Sequence, residues 1–308
     1  MVEIEGRPLV LSNLGKILYP KAGFTKADLL DHYRRVAPAL LPHLEGRPLT
    51  LKRYPDGVDE PSFYEKRCPA HRPPWVRTVP VVGKRSGRID FCEVDDLATL
   101  MWVENLAAIE LHGSLSRSTS LDRPSFLVFD LDPGAPAGLV DCAEIGLWIR
   151  ELLGEVGLDS FPKSSGRAGL QIYAPLNGSA TYADSKGFAR DLARLMEARE
   201  PDRVISVMSK ARRAGKVFVD WSQNDASKTT VCVYSLRARE RPTVSTPVTW
   251  QEVREAVRRR SPAPLVFEAQ DLPGRLEQHG DLFAKVLTLR QSLPRLPERT
   301  ARPRPPSA

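Results

Sequence analysis

Apolar positions recur along this chain with two periods, and where one gives way to the other the elements can be placed. Thr25, followed three residues later by Asp28, reads as a capping box with Asp in place of Glu. Leu29, Leu30, Tyr33, Val36, Ala37, Leu40 and Leu41 then fall at helical spacing. A second helix is predicted from about Asp96 to Leu111, with Leu97, Leu100, Met101, Leu106 and Ile109 inward and His112 delivered at its end. Further helices are predicted over 137–156, 184–199 and about 250–260. Strand patterns cover 3–11 with an internal turn and 49–54, and a Ser/Gly loop beginning at Lys163 opens into another strand. Two apolar strands end in acids. Phe126-Leu127-Val128-Phe129 runs straight into Asp130-Leu131-Asp132 and is stopped by Pro133-Gly134, and Val217-Phe218-Val219 runs into Asp220.

On a strand, residues i and i+2 share a face, so Asp130 and Asp132 point the same way while Leu131 points into the other layer. Two like charges that close repel unless a cation lies between them, and hard oxygen ligands suit Mg²⁺ or Mn²⁺. A bare D-x-D is more often two solvated carboxylates at a strand end, so its neighbours decide. Lys210-Ala211-Arg212-Arg213-Ala214-Gly215-Lys216 stands immediately before the Asp220 strand, and Gln223, Lys228, Arg237, Arg239 and Arg241 extend the basic surface beyond it. Carboxylates to hold metal beside Lys and Arg to hold phosphates are the parts of a metal–triphosphate site. Residues 55–75 mix Phe63, Tyr64 and Trp75 with Lys66, Arg67, His71 and Arg72, a mixture that can stack bases and neutralise phosphates and that also occurs in plain surface loops.

The chain has 308 residues and a formal net charge of +7, which agrees with a polyanion partner. Its length suits one large domain or two intimate subdomains. Its four cysteines lie far apart, no C-x-x-C occurs, and nothing reads as a disulfide framework. Cys68 and His71 form a lone C-x-x-H with no second pair at zinc spacing. No signal peptide or membrane-length apolar run is visible, so a reduced cytoplasmic protein, nucleoid-associated and without a membrane partner, is expected. Lys84–Arg88 reads as a basic hairpin tip and Leu293–Ala308 as a disordered Pro/Arg-rich tail.

With these residues in hand, the chain resembles the polymerase domain of bacterial ligase D, in the archaeo-eukaryotic primase superfamily, over about residues 3–290. The motifs that carry the resemblance are Thr50-Leu51-Lys52-Arg53-Tyr54-Pro55-Asp56-Gly57, Ser62-Phe63-Tyr64-Glu65-Lys66, Glu110-Leu111-His112, Phe129-Asp130-Leu131-Asp132-Pro133, Ser165-Gly166, Val217-Phe218-Val219-Asp220-Trp221 and Tyr234-Ser235-Leu236-Arg237, in the family's order. The likeness is to actinobacterial, mycobacterial-type members. The resemblance implies an α/β (α+β) primase-polymerase fold: two subdomains around a cleft, mainly antiparallel sheets and an RRM-like catalytic core. It implies an N-terminal subdomain over about 1–110, a core over about 111–245, a helical part over 246–290 and a tail over 291–308. The DxD and Asp220 strands are expected side by side, with the helices at 137–156 and 184–199 behind them.

The same resemblance implies a template-dependent polymerase that adds nucleotides, ribonucleotides by preference, to a primer 3′-OH at gaps or DNA ends. Asp130, Asp132 and Asp220 would be the catalytic triad, holding two Mn²⁺ or Mg²⁺ ions, and the substrate is an NTP or dNTP. Lys52, His112, Ser165, Gly166, Arg167, Arg213, Gln223 and Arg237 would line the nucleotide pocket. Arg53, Phe63 and Tyr64 would meet the template, and Asn13, Lys16 and Lys26 would hold a downstream 5′-phosphate. The implied partners are 5′-phosphorylated DNA, Ku and a separate DNA ligase, since no K-x-D-G nucleotidyl-transferase motif is present and the chain reads as a stand-alone polymerase.

Some positions depart from the family. Its loop reads S-G-x-K-G-L-H, whereas here Ala168 stands for the lysine, with Arg167 beside it, and Gln171 stands for the histidine. The usual Pro-Trp after His112 is absent, and Cys232-Val233 replaces Ala-Pro. These changes motivate a second reading, a 5′-phosphate-dependent end-binding or bridging module with weak or no catalysis. A dehalogenase-type phosphohydrolase needs Thr or Val two residues after the second Asp, where Gly134 stands instead.

Overall fold

The computed structural model describes residues 1–83 and 87–294. Two sheets dominate it. A six-stranded sheet runs in the order Thr229–Val231, Glu110–Ser114, Leu49–Arg53, Gly87–Cys92, Thr78–Gly83, with Phe63–Glu65 also paired on Leu49–Arg53. Its pairs are antiparallel. A five-stranded sheet runs Phe161–Ser164, Leu170–Pro175, Phe126–Pro133, Val217–Asp220, Val204–Ile205, antiparallel except for the last, parallel pair. The expected mixed architecture with mainly antiparallel sheets is therefore present.

Each sheet has its own core. Helices Leu139–Glu155 and Tyr182–Arg199 lie behind the five-stranded sheet, where Cys142, Ile145, Ile149, Phe188 and Leu192 bury against Leu127, Phe129, Leu131 and Val219. Helix Lys26–Leu44 begins at the foreseen cap: Thr25 Oγ1 accepts from the Asp28 N–H, and the Asp28 carboxylate accepts from the Thr25 N–H at 2.7 Å. Its buried stripe packs with helix Leu97–Asn105 in the core of the six-stranded sheet. Burying such stripes, at roughly 25 cal/mol per Å² of apolar surface, is what holds these layers together.

Three sequence expectations are corrected. The second helix stops at Asn105, and Glu110–Ser114 is a strand, so His112 sits mid-strand rather than at a helix end. Ala107 takes a left-handed turn with φ +58. No Gly or Pro marks it, and residues 107–111 are all buried, so the apolar pattern ran on through the break. Lys163 and Ser164 belong to a strand, the loop starting only after them. Cys68 and Cys92 form a disulfide, against the expected reduced state. The Cys68 N–H donates to the Asp90 carbonyl at 2.8 Å, which lays the segment after Phe63–Glu65 alongside strand Gly87–Cys92 and brings the two Cα atoms to 4.8 Å. Cys68 is thereby withdrawn from any C-x-x-H site. The basic hairpin exists as the antiparallel pair Thr78–Gly83 and Gly87–Cys92, while its tip, residues 84–86, and the tail from 295 onward lie outside the described residues.

Candidate active site

The register of the five-stranded sheet sets the site. Asp130 is the direct cross-strand partner of Asp220, and Asp132 lies opposite Phe218 at the same end. Burial raises the pKa of Asp130, and the negative charges of Asp132 and Asp220 raise it further. Asp132, on the exposed end, is raised by the same two causes, burial and Asp220, against Arg213, Arg237 and Arg167. The chain supplies small compensations. Gln171, cross-strand from Asp130, donates Nε2–H to its Oδ1 at 3.1 Å, and the Gln171 carbonyl accepts from Tyr173 Oη at 3.4 Å. Asp220 accepts from the Ser222 N–H at 2.9 Å and from Gln223 Nε2 at 3.1 Å.

Gly134 explains why the turn after the D-x-D must be what it is. A Cβ there would lie 2.1 Å from the Arg213 carbonyl oxygen, because the Gly134 N–H donates to Lys216 O at 2.8 Å and its carbonyl accepts from Gly215 N–H. This contact docks the basic segment 210–216 on the end of the DxD strand. Arg213 is thereby stacked on Phe218, 3.9 Å from the ring centre. The Ser/Gly loop is fixed the same way. Gly166 has φ +67, and a Cβ on it would meet Arg237 Cγ and the Val244 backbone at 2.7 Å. Ser165 Oγ accepts from the N–H groups of Arg167 and Gly169, both at 3.2 Å, while its carbonyl accepts from Arg237 Nη1 at 2.9 Å.

From the six-stranded sheet, Lys52 lies 5.1 Å from the Tyr54 ring and 5.3 Å from the Tyr64 ring, and burial lowers its pKa. His112, lowered by burial, sits with its ring 5.6 Å from that of Tyr64. Tyr64, His112, Asp130, Gln171, Gln223 and Arg237 line one cleft of about 420 Å³ between the two sheets. Phe63 and Tyr64 are exposed at its rim, and Arg53 stacks 5.3 Å over Phe63 while ion-pairing Glu65 at 2.9 Å. Apart from this cleft, Asn13, in a left-handed turn with φ 55, accepts the Lys16 N–H through its carbonyl at 2.9 Å, and the Lys26 N–H donates to Lys16 O at 2.8 Å. Burial lowers the pKa of Lys26, as do the charges of Lys16 and Arg53, so these three cations are neighbours. Lys16 is paired with Asp56 at 2.6 Å.

Two site residues escaped the sequence reading. Lys163 is fully buried, near enough to Asp130 for its charge to favour the ionised aspartate. It donates to Val231 O at 3.1 Å and Ser245 Oγ at 2.5 Å, and burial together with the charge of Arg237 brings its pKa down to about 7. A lysine in a Ser/Gly run reads as loop, and only its alternation with Pro162 and Ser164 could have placed it in a strand. Glu110 is the second: the helical pattern over 96–111 puts it on a helix, and its motif assigns it no role. Burial opposes its charge, but the His112 hydrogen bond and the cations Arg237 and Arg167 hold its carboxyl well below the usual range.

No three acidic, His or Cys side chains among the described residues close into a ready-made metal cage. The donor set nevertheless fits a divalent ion, because hard carboxylate oxygens from two paired strand ends repel one another, and a cation between them relieves that repulsion.

Comparisons with known proteins give the family. Residues 25–283 match the family model described as LigD, primase-polymerase domain. The chain is 39% identical, over 290 residues, to the multifunctional non-homologous end joining DNA repair protein LigD of Mycobacterium tuberculosis, covering 90% of this chain and 37% of that protein. It is 30% identical over 276 residues to the bifunctional non-homologous end joining protein LigD of Bacillus subtilis, covering 89% of this chain and 43% of that one. The chain thus spans less than half the length of these relatives. Among solved structures it is similar to the polymerase domain of Mycobacterium tuberculosis ligase D in complex with DNA, with a TM-score of 0.84 and 38% identity, over 91% of this chain and 98% of that one.

Proposed function

Because the chain belongs to the LigD primase-polymerase domain family, we propose that it adds nucleotides to the 3′-OH of a template-paired primer, at gaps and ends that carry a 5′-phosphate. The observation that carries this reading is the cross-strand pairing of Asp130 with Asp220, two residues from Asp132, beside a cleft lined by His112, Gln223 and Arg237.

Asp130, Asp132 and Asp220 would hold two divalent ions, Mn²⁺ or Mg²⁺, which when bound supply Lewis-acid activation of the hydroxyl and charge neutralisation at the leaving pyrophosphate. The protein's own part is binding and orientation. The 165–169 loop, with Arg167 and Arg237, cradles the triphosphate, and Arg213 meets it from the docked basic segment. Gln171 and Gln223 hold Asp130 and Asp220 in place by hydrogen bonds. The exposed rings of Phe63 and Tyr64 stack against the templating base, with Arg53 bracing Phe63. Asn13, Lys16 and Lys26 receive the downstream 5′-phosphate, a dianion that brings the two ammonium groups a shared counter-charge. Ku and a separate DNA ligase are proposed as partners in end joining.

Primer extension on a gapped, 5′-phosphorylated duplex tests the reading, with ribo- and deoxyribonucleotides and with Mn²⁺ or Mg²⁺. Extension of the primer, lost in Asp130→Ala/Asp132→Ala, is the expected result. DNA binding dependent on the 5′-phosphate and weakened by Lys16→Ala with Lys26→Ala, but without any extension, would overturn polymerisation and leave an end-binding module.

A further inference from the structure

Glu110 opens the strand Glu110–Ser114, its side chain only 1% exposed, and it is not among the residues that line the cleft. Its Oε1 accepts from Arg167 Nη2 at 2.9 Å and from the Ala238 N–H at 3.1 Å, and lies 3.4 Å from Arg237 Nε. Its Oε2 is 3.0 Å from His112 Nε2. Lys52 is its cross-strand partner. A buried ion pair is commonly no more than a satisfied pair in a core. This one differs in its membership: each side chain named here belongs to the set read as nucleotide-binding, and they come from the six-stranded sheet, the 165–169 loop and the strand Leu236–Arg237.

We infer that Glu110 is the positioning residue of the nucleotide pocket, the internal anion that fixes Arg167, Arg237 and His112 in one arrangement before substrate arrives. The inference rests on the reading of this cleft as the nucleotide site.

The chemistry of the contacts supports it. An ionised carboxylate only accepts, so the His112 nitrogen that meets it carries the proton, and Nδ1 is left as the free ring nitrogen. Arg237 is held at two points, by Ser165 O through Nη1 and by Glu110 beside Nε, which ties its guanidinium to the loop that would cradle phosphate. Arg167 stands next to Ala168, where the family's loop has its lysine. Its side chain is 38% exposed, and Glu110 is its ion-pair partner among the described residues. That tether is what gives an otherwise solvated arginine a fixed position near the site. Positive groups gathered this closely repel one another, and the single buried carboxylate offsets that repulsion without taking up the outward-facing donors. Donors already in place need little reorganisation when charge arrives.

The test compares the full chain with Glu110→Gln, Glu110→Asp and Arg167→Met. The readouts are the Kd of a fluorescent ribonucleoside triphosphate with Mn²⁺ on a gapped, 5′-phosphorylated duplex, and the KM and kcat of extension. Glutamine keeps the size but turns an NH₂ against donors, so Kd and KM rise at least tenfold and KM rises more than kcat falls. Aspartate keeps the charge and recovers part of the loss. Arg167→Met, a change in a partly exposed side chain that folding tolerates, raises Kd at least fivefold, and the double variant is no worse than Glu110→Gln alone. Unchanged or tighter binding in Glu110→Gln overturns the inference. If that variant does not fold, unchanged binding in Arg167→Met overturns it instead. Wild type that binds no nucleotide would remove the functional reading itself and this inference with it, whereas wild type that binds beside an indifferent Glu110→Gln removes only the inference.

Discussion

The two sheets hold carboxylates near the same cleft under opposite conditions. On the five-stranded sheet, Asp130 and Asp132 are raised by burial and by one another's charge or that of Asp220. On the six-stranded sheet, burial also works against Glu110, yet the donors and cations around it hold it far below the ordinary range. The difference is one of supply. Glu110 receives its counter-charges from ion pairs within the chain, while Asp130 and Asp220 receive amide and hydroxyl donors and, among the described residues, the three aspartates make no ion pair. A group of acids that the fold leaves short of positive charge is complementary to an ion from outside, and one that the fold already neutralises is not. Sequence motifs alone rank these acids together, and their surroundings separate a metal site from a positioning device.

The sharpest way to break this contrast is Asp130→Asn. Turnover should fall by about a thousandfold or more, since a misplaced metal loses both positioning and Lewis-acid roles. In chelator, the same variant should be more stable than wild type by roughly 1 kcal/mol, because one of three repelling charges is gone. The sign follows from the raised pKa: the penalty is absent below the ordinary aspartate range and grows as pH rises through the raised value. Mn²⁺ should raise the unfolding temperature of wild type, and most of that rise should vanish in Asp130→Asn. A chelated variant less stable than wild type would show that the aspartates are satisfied as they stand.

The disulfide offers a second separation. Cys68 and Cys92 close a loop of the six-stranded sheet with a sequence separation of 24. Cys68→Ser, or reduction of the wild-type chain, should cost about 2–4 kcal/mol in unfolding free energy. The Mn²⁺-dependent rise belongs to the other sheet and should survive unchanged. Loss of that rise on reduction, measured by thermal denaturation with and without a thiol, would mean that the two sheets do not act independently.

What the sequence made legible follows the same divide. The five-stranded sheet announced itself because its strands are apolar runs ended by acids, with Pro133-Gly134 as a stop, and its backing helices carry amphipathic stripes. The six-stranded sheet hid its key residue. Leu106 and Ile109 are apolar at a spacing a helix would use, yet the helix ends at Asn105 and the chain turns at Ala107 without a glycine. A helical reading therefore puts Glu110 on the wrong element, away from Lys52, its cross-strand partner. The disulfide was hidden for a related reason: cysteines 24 residues apart carry no spacing signal, and it is the Cys68 N–H bond to the Asp90 carbonyl that lays Cys68 beside strand Gly87–Cys92. The loop departures were visible as letters, but not that Gln171 would serve Asp130 through an amide hydrogen bond. Cross-strand partnership is a long-range fact, and single-strand patterns do not contain it.

The contrast has a third term in Glu104, a carboxyl fully buried beneath the six-stranded sheet. Neither oxygen has a hydrogen-bond partner among the described residues, and burial raises its pKa well above the usual value. It has neither Glu110's cations nor the aspartates' access to an ion, so neutralisation by a proton is its remaining route. Glu104→Gln should therefore stabilise the protein at neutral pH, by about 1–3 kcal/mol. A raised folded pKa means that the stability contributed by the protonated acid is fully present below the unfolded value of 4.5 and is lost as pH rises through the folded one. The advantage of the variant should thus be near zero at about pH 4 and widen steadily towards neutrality. Denaturant unfolding of both proteins across that range measures it, with nucleotide affinity unchanged because Glu104 touches none of the cleft's donors. A variant less stable than wild type at neutral pH would mean that the buried carboxyl is satisfied, and that supply of counter-charge is not what distinguishes the three environments.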